Sequence, residues 1–289
     1  MHANLRTMML FFVLIVLFGI IGWVVGTYFF GDWMLGSLVF LGIAAAINIV
    51  SYFYSSKIVL WSYRAKIVTP AEAPRLHKIV QDICLKADMP MPKLAIVKTA
   101  TPNAFATGRN KNNAVVAVTT SLLDILSDDE IKGVLSHEMA HVKDKDILIM
   151  SVAATIAGAI SFAARMLWWN AMFGRSRDGN AWLLLIVAIT VPIAALLLQL
   201  GISRGREYKA DYEGSMIIQR PLSLARALEK LEDANKKRPI DRGNPASSSL
   251  FIVNPFRGQG IFNIFSTHPP IKERVRRLEN LAQETGFLR

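Results

Sequence analysis

The sequence predicts a membrane protein with four α-helical spans and a water-facing α+β domain. Two observations lead to this fold class. Apolar residues make up 52% of the 289 residues, the mean hydropathy is +0.33, and the apolar residues are bunched into long runs. The stretches between the runs change character and mix polar with apolar residues around several prolines. Long apolar runs are typical of helices that cross a bilayer, whereas mixed stretches fold in water.

The first two runs predict a tight transmembrane hairpin. Met8 to Phe30 contains no charged residue, and a second run from Trp33 to about Ser56 follows after only two residues. A cleaved signal peptide is the alternative for the first run, but the run is longer than a signal core and another follows at once. The hairpin leaves Arg6 and Lys57 on the same side of the bilayer.

Two further runs predict a second hairpin. Ile147 to Trp169 is the third run, and Ala181 to Ser203 is the fourth, with Pro192 as a kink that a membrane helix tolerates. The loop between them carries two arginines against one aspartate. An outward-facing loop of that charge opposes the positive-inside rule.

Charge and cysteine content narrow the class of protein. The formal charge is +11, from 33 basic and 22 acidic residues. Attraction to anionic lipid and the bias of basic residues towards the cytoplasmic side explain this excess, and no nucleic-acid recognition motif accompanies it. Cys84 is the only cysteine, so no internal disulfide can form, and a buried apolar thiol is the expected state.

The stretch after the first hairpin predicts an α+β domain. Ser127-Asp128-Asp129-Glu130 is a capping box, so a helix begins there and continues through His137 and His141. The other predicted elements are a helix at 71–87, strands at 94–97 and 114–119, a turn at 108–113, helices at 205–219, 222–234 and 270–282, and a long loop at 236–266.

The sequence His137-Glu138-Met139-Ala140-His141 matches the H-E-x-x-H pattern. Residues i and i+4 share one face of a helix, so both imidazoles can bind one zinc ion. Glu138 lies beside them and can act as general base towards the attacking water. An amphipathic helix with incidental histidines is the alternative, and the capped helix together with the partner residues described next argues against it.

A catalytic zinc needs a third protein ligand, and Glu207 is the candidate. His141 lies six residues before the third run and Glu207 four residues after the fourth, so a hairpin brings both to the same side of the bilayer. A helix continuing from His141 would put the zinc about 9 Å from the apolar boundary. Asp211, one turn beyond Glu207, can accept a hydrogen bond from a ligand histidine or an arginine. Spacing alone equally allows a solvated helix charge at Glu207 and an i,i+4 partner of a neighbouring basic residue at Asp211.

Three motifs in this order, HEMAH, SRGREYKADYEG and STHPPIKER, resemble the HtpX family of bacterial membrane proteases, which is related to the eukaryotic CAAX prenyl proteases. The resemblance covers nearly the whole chain. It implies one Zn²⁺ per chain on His137, His141 and Glu207, with Glu138 as base. It also implies a multi-pass protein of the inner membrane, with a cytoplasmic active site that degrades damaged membrane proteins and associates with other quality-control proteases.

The resemblance also suggests residues that spacing cannot identify. His268 and Arg274 match family positions that support the oxyanion and hold the carboxylate network. Asn103-Ala104-Phe105-Ala106 resembles the edge strand of thermolysin-like zinc peptidases, on which an extended substrate pairs through its backbone. An ordinary turn at a strand edge is the alternative for this segment.

The expected architecture is therefore four spans plus a zincin-like metallopeptidase domain of α+β class. The predicted segments are a hairpin at 1–56, a domain segment with the H-E-x-x-H helix at 57–146, a second hairpin at 147–203, and a domain segment with the third ligand at 204–289. The expected partners are the bilayer and membrane-protein or peptide substrates, without nucleic acid. A prenyl-peptide processing enzyme and a non-enzymatic membrane scaffold are the alternative functions.

Overall fold

The computed structural model describes residues 2–27, 31–152, 204–237, 252 and 269–288. Most of the third predicted span, the whole of the fourth, most of the predicted loop at 236–266 and His268 lie outside the described residues. The description therefore covers the first hairpin and both parts of the predicted water-facing domain.

The first predicted hairpin is present as two packed helices, α1 (His2–Val25) and α2 (Trp33–Ser62). The Asp32 carboxylate caps α2 by accepting hydrogen bonds from the backbone N–H groups of Met34 and Leu35, at 2.9 and 3.0 Å. Glycines bring the two backbones together, since a Cβ atom on Gly22 would lie 2.7 Å from the Gly36 carbonyl oxygen. Small residues at a helix crossing are typical of packing in membranes.

Helix α2 is longer than a membrane span requires. Among the described helices it is the one long and apolar enough to cross a bilayer, with a hydropathy of 2.1 over its most apolar window. Its 30 residues extend about 45 Å, whereas a bilayer core is about 30 Å thick. The helix passes the predicted end of the span near Ser56. Val59 and Leu60 in its last turn, and the adjacent Tyr63, pack on the α+β domain.

The domain is built on a four-stranded sheet in the order β1-β2-β4-β3. Strands β2 and β4 are parallel, the other two pairs are antiparallel, and β3 is an edge strand. The strands are β1 (Lys66–Val68), β2 (Lys93–Val97), β3 (Ala104–Gly108) and β4 (Ala114–Thr119), with a 3₁₀ turn at Lys111–Asn113 between the last two.

Helices cover the sheet on both faces, so every residue of β3 and β4 is buried. The end of α2 covers one face, and the helices of the domain build the larger core on the other. The helices of the domain are α3 (Pro74–Ala87), α4 (Thr120–Ile125), α5 (Asp128–Lys143), α6 (residues 146–152), α7 (Arg204–Ile218), α8 (Pro221–Lys237) and α9 (Ile271–Thr285).

The chain does not continue as one helix from the H-E-x-x-H motif into the third apolar run. Helix α5 ends at Lys143, Lys145 adopts a left-handed conformation with φ of 63°, and α6 starts at Asp146. The expectation of a continuous helix is therefore wrong, because a left-handed residue ends the α-helical path. In α6, Val152 packs against Leu14 of α1.

Candidate metal centre

The helix that carries the H-E-x-x-H motif begins where its capping box predicts. Ser127 Oγ accepts a hydrogen bond from the Glu130 N–H, and the Glu130 carboxylate accepts one from the Ser127 N–H at 2.8 Å. One helical turn separates His137 from His141, and their ring centroids lie 4.8 Å apart. Both side chains are buried, so the two imidazoles face a site inside the protein.

Helix α7 brings Glu207 to the two histidines. Its carboxylate oxygens lie 3.7 Å from His137 Nε2 and 3.4 Å from His141 Nε2. One ligand atom from each of the three residues falls within 4.8 Å of the others, and all three residues are buried. Two imidazoles and one carboxylate are the ligands of many catalytic zinc sites, so this donor set fits zinc.

A glycine allows α7 to approach so closely. A Cβ atom on Gly214 would lie 2.7 Å from the backbone nitrogen of His137. The two helix backbones are therefore in direct contact at the first histidine, two turns from Glu207 on α7. A larger residue at position 214 would push the carboxylate and the histidines apart.

Asp211 and Arg274 form the network that the sequence suggested. Asp211 Oδ1 lies 2.9 Å from His137 Nδ1, and Arg274 donates two hydrogen bonds to the same carboxylate, at 2.6 and 2.8 Å. Burial alone would raise the pKa of Asp211, but Arg274 and His137 outweigh it and lower that pKa to about 2. The carboxylate is therefore charged and fixes the orientation of the His137 ring.

A second network, missed in the sequence, supports the other histidine. The Asp146 carboxylate lies 3.5 Å from His141 Nδ1 and accepts a hydrogen bond from Arg206 Nη1 at 3.2 Å. Each histidine thus presents Nε2 to Glu207 and Nδ1 to an aspartate that an arginine holds. Asp146 sits five residues past His141, a spacing that does not place it on the face of a straight helix. The interruption of the helix at Lys145 brings Asp146 back towards His141.

Glu138 lies beside the three candidate ligands, with 5% of its surface exposed. Its Oε2 accepts a hydrogen bond from the backbone N–H of Ala106, at 3.0 Å. Burial raises the pKa of Glu138 to about 7, with His141 opposing and Glu207 adding to the effect. A carboxyl group with a pKa near neutrality can both take up and release a proton, as a general base must.

The predicted substrate strand is the edge strand β3, and its residues are oriented in different ways. The Ala106 N–H points away from β4 towards Glu138, and alternation along a strand gives Ala104 the same direction. Phe105 packs its ring 5.1 Å from Tyr63, on the opposite face of the sheet from the H-E-x-x-H helix. The Asn103 carboxamide oxygen accepts a hydrogen bond from the Ile252 N–H at 3.0 Å.

The comparisons with known proteins decide the family. Residues 70–282 match Peptidase family M48, a span that contains every residue of the metal centre. The chain belongs to this family. The M48 peptidases depend on zinc in general, and this chain is therefore a metallopeptidase.

Curated relatives of this M48 peptidase include proteins named Protease HtpX homolog. The homolog of Thermococcus sibiricus is 51% identical over 251 residues, which cover 84% of this chain and 86% of that relative. The homolog of Salinibacter ruber is 49% identical, with 96% of this chain and 97% of the relative covered. The expected resemblance to HtpX proteases is thus confirmed.

A solved structure supports the fold. The crystal structure of S. mikatae Ste24p matches with a TM-score of 0.50 and 17% identity, covering 96% of this chain and 65% of that one. The α+β peptidase domain is confirmed, and among the described residues one helix is both long and apolar enough to cross a membrane.

Proposed function

We propose that this metallopeptidase is anchored in the cytoplasmic membrane and cuts misfolded or damaged membrane proteins with one zinc ion per chain. The observation that carries the proposal is the convergence of His137, His141 and Glu207, all buried, beside the carboxylate of Glu138. Three ligands from two helices leave one position open for water or substrate, as a catalytic zinc requires.

The chain's own residues supply the remaining roles. Zinc, when bound by the three ligands, provides Lewis acidity towards the substrate carbonyl and the attacking water. Glu138 accepts the proton of that water at Oε, and the Ala106 N–H holds the carboxylate in place. Asp211 and Arg274 orient His137. His268, outside the described residues, is proposed to stabilise the oxyanion on the basis of the family resemblance.

We propose that substrates bind by pairing with the edge strand β3. The segment Asn103, Ala104 and Phe105, at the start of β3, leads directly to Ala106, whose backbone N–H donates a hydrogen bond to Glu138. An extended backbone added beside β3 therefore passes the general base. Backbone pairing reads few side chains, and a folded helix has no free amide groups to offer. Unfolded loops and loosened ends of misassembled membrane proteins meet this requirement.

The proposed arrangement in the membrane follows the same four segments. Hairpins at 1–56 and 147–203 cross the bilayer, and segments 57–146 and 204–289 form the peptidase domain on the cytoplasmic side. The contacts of α5 with α7, on either side of the second hairpin, support a shared compartment. The net charge of +11 favours the cytoplasmic side and contact with anionic lipid. Association with other quality-control proteases rests on the resemblance alone.

The proposed substrate class can be tested in reconstituted vesicles. A destabilised membrane protein and its stable parent are incubated with the wild-type peptidase, and with Glu138→Gln as the inactive control. We expect faster cleavage of the destabilised protein, in loops near the membrane and in several sequence contexts. Cleavage at one strict motif, at equal rates in both proteins, would instead indicate a dedicated processing enzyme such as a prenyl-peptide protease.

A further inference from the structure

The turn between β3 and β4 lies beside the part of α2 that leaves the membrane. The Arg109 guanidinium sits over the Phe53 ring, 5.4 Å from its centroid. Phe53 belongs to the uncharged stretch of α2, four residues before Lys57, which is the first charge after Asp32. Four helical residues correspond to about 6 Å. Arg109 therefore lies near the end of the uncharged stretch of α2, about 6 Å from Lys57 along the helix axis.

A second contact, from another apolar segment, puts the end of β3 at the same depth. Thr107 Oγ1 and Ser151 Oγ are hydrogen-bonded at 2.7 Å, and both side chains are fully buried. Ser151 is the fifth residue of the third apolar run, and its neighbour Val152 packs on Leu14 of the first hairpin. Two independent segments therefore bracket the carboxyl end of β3 at the membrane boundary.

The strand and the helix run side by side in opposite directions. Tyr63, ten residues beyond Phe53, contacts Phe105, four residues before Arg109. Ten helical residues span about 15 Å and four strand residues about 14 Å. Both contacts are therefore consistent with one antiparallel alignment of the strand and the helix. The edge strand thus starts away from the membrane and ends at its surface.

The tip of the turn is basic, and hydrogen bonds fix its conformation. Arg109 and Lys111 are the charged residues between Ala100 and Leu123, and the chain has no acidic residue in that interval. The Asn110 side-chain oxygen accepts hydrogen bonds from the N–H groups of Asn112 and Asn113, both at 3.1 Å. The turn therefore presents Lys111 as an exposed cation. Basic residues in surface turns are common, but here two packing contacts fix the turn at the membrane boundary.

We propose that the β3–β4 turn docks on anionic lipid head groups through Arg109 and Lys111, and thereby seats the edge strand β3 at the bilayer surface. The inference rests on the proposed membrane anchoring. Attraction to an anionic membrane surface increases with each basic residue near it, and two residues change the ratio of docked to undocked turns about thirtyfold. A substrate segment paired with β3 would then lie against the membrane.

The test measures the depth of the turn directly. The full chain carries Glu138→Gln, so that no proteolysis intervenes, and Cys84→Ser. Single cysteines replace Asn112 at the turn, Lys98 at the opposite end of the sheet, or Leu38 within the span, and each carries a fluorophore. Vesicles of phosphatidylcholine, or of an equimolar mixture with phosphatidylglycerol, contain lipids with a quencher on the head group.

We expect quenching at Asn112 and Leu38 but not at Lys98, and stronger quenching at Asn112 when phosphatidylglycerol is present. The double substitution Arg109→Gln with Lys111→Gln should abolish this increase. The matched control removes the same charge from the far end of the sheet, by Lys98→Gln with Lys237→Gln, and should leave the increase unchanged.

Quenching at Asn112 that is no stronger than at Lys98, while Leu38 is quenched, would overturn the docking of the turn. An increase with phosphatidylglycerol that survives the substitution of Arg109 and Lys111 would overturn the role of these two residues. Loss of quenching at Leu38 as well would show that the chain is not embedded, which overturns the anchoring and this inference together. None of these outcomes depends on peptidase activity.

Discussion

The backbone N–H of Ala106 donates a hydrogen bond to the carboxylate of Glu138, at 3.0 Å. This bond connects the middle of the edge strand to the residue that follows the first histidine of the H-E-x-x-H motif. In the proposed binding mode, this bond sets the distance between a substrate paired with β3 and the carboxylate of Glu138, because the same strand contacts both.

The second histidine should depend on Asp146 for its affinity for zinc. Asp146→Asn removes the charge that faces His141 Nδ1, and loss of such a partner typically lowers metal affinity about 10- to 100-fold. Competition with a chelator measures the affinity. The matched control is Asp144→Asn, which breaks an ion pair of Asp144 with Lys209 between the same parts of the chain but touches no candidate ligand. Equal effects of both substitutions would contradict a positioning role for Asp146.

Close helix packing should matter to the site beyond its contribution to stability. Gly214→Ala and Gly133→Ala each place a Cβ atom 2.7 Å from the backbone of a facing helix, at His137 and Leu224 respectively. Both should lower the free energy of unfolding by about 1–3 kcal/mol, because overpacking strains the core. Denaturant unfolding measures this loss. Zinc affinity should fall only in Gly214→Ala, and an equal fall in both variants would show a general effect of destabilisation.

Zinc affinity should rise with pH. Burial lowers the pKa of His141, but Asp146 and Glu207 outweigh it and raise that pKa to about 10 in the metal-free protein. A ligand imidazole must be neutral, so zinc binding releases this proton. For each proton released, the affinity for zinc falls about tenfold when the pH is lowered by one unit. Chelator competition from about pH 6 to about pH 8 measures the slope. Affinity that does not change across this range would contradict a protonated His141 in the metal-free site.

The first hairpin should place its tip and the peptidase domain on opposite sides of the membrane. Trp33 and Lys98 are both exposed, and α2 with its uncharged stretch from Trp33 to Ser56 lies between them. Cysteines introduced singly at these positions, with Cys84→Ser, should react with an impermeant thiol reagent from opposite sides of sealed vesicles. Labelling of both from the same side would refute the predicted crossing.

Local signals in the sequence were sufficient for several elements. The capping box at Ser127 predicted the start of α5, and β4 (Ala114–Thr119) has the predicted bounds. Helix α3 begins at Pro74, three residues later than predicted, because proline favours the first helical turn. The apolar residues Leu76, Val80 and Ile83 of that helix are buried, and Ile79 packs partly buried against the same core.

The remaining features depend on contacts between distant residues. Nothing near Ser56 signals that α2 continues to Ser62, since the added turns are stabilised by packing on the sheet. Arg206 and Asp146 are 60 residues apart, and only the fold shows that they meet. Lys145 adopts a left-handed conformation although the position carries neither glycine nor asparagine, the residues that usually indicate one. Sequence motifs thus identified the candidate ligands, whereas the supporting network of His141 needed the structure.

The most direct test of the account is zinc content measured together with peptide cleavage in three proteins. Wild type should hold one zinc ion per chain and cut peptides. Glu138→Gln should keep its zinc while cleavage falls by orders of magnitude, because it loses the general base but no ligand. Glu207→Ala should lose zinc and activity together. Equal zinc content in wild type and Glu207→Ala, or full activity in Glu138→Gln, would contradict the proposed metal centre.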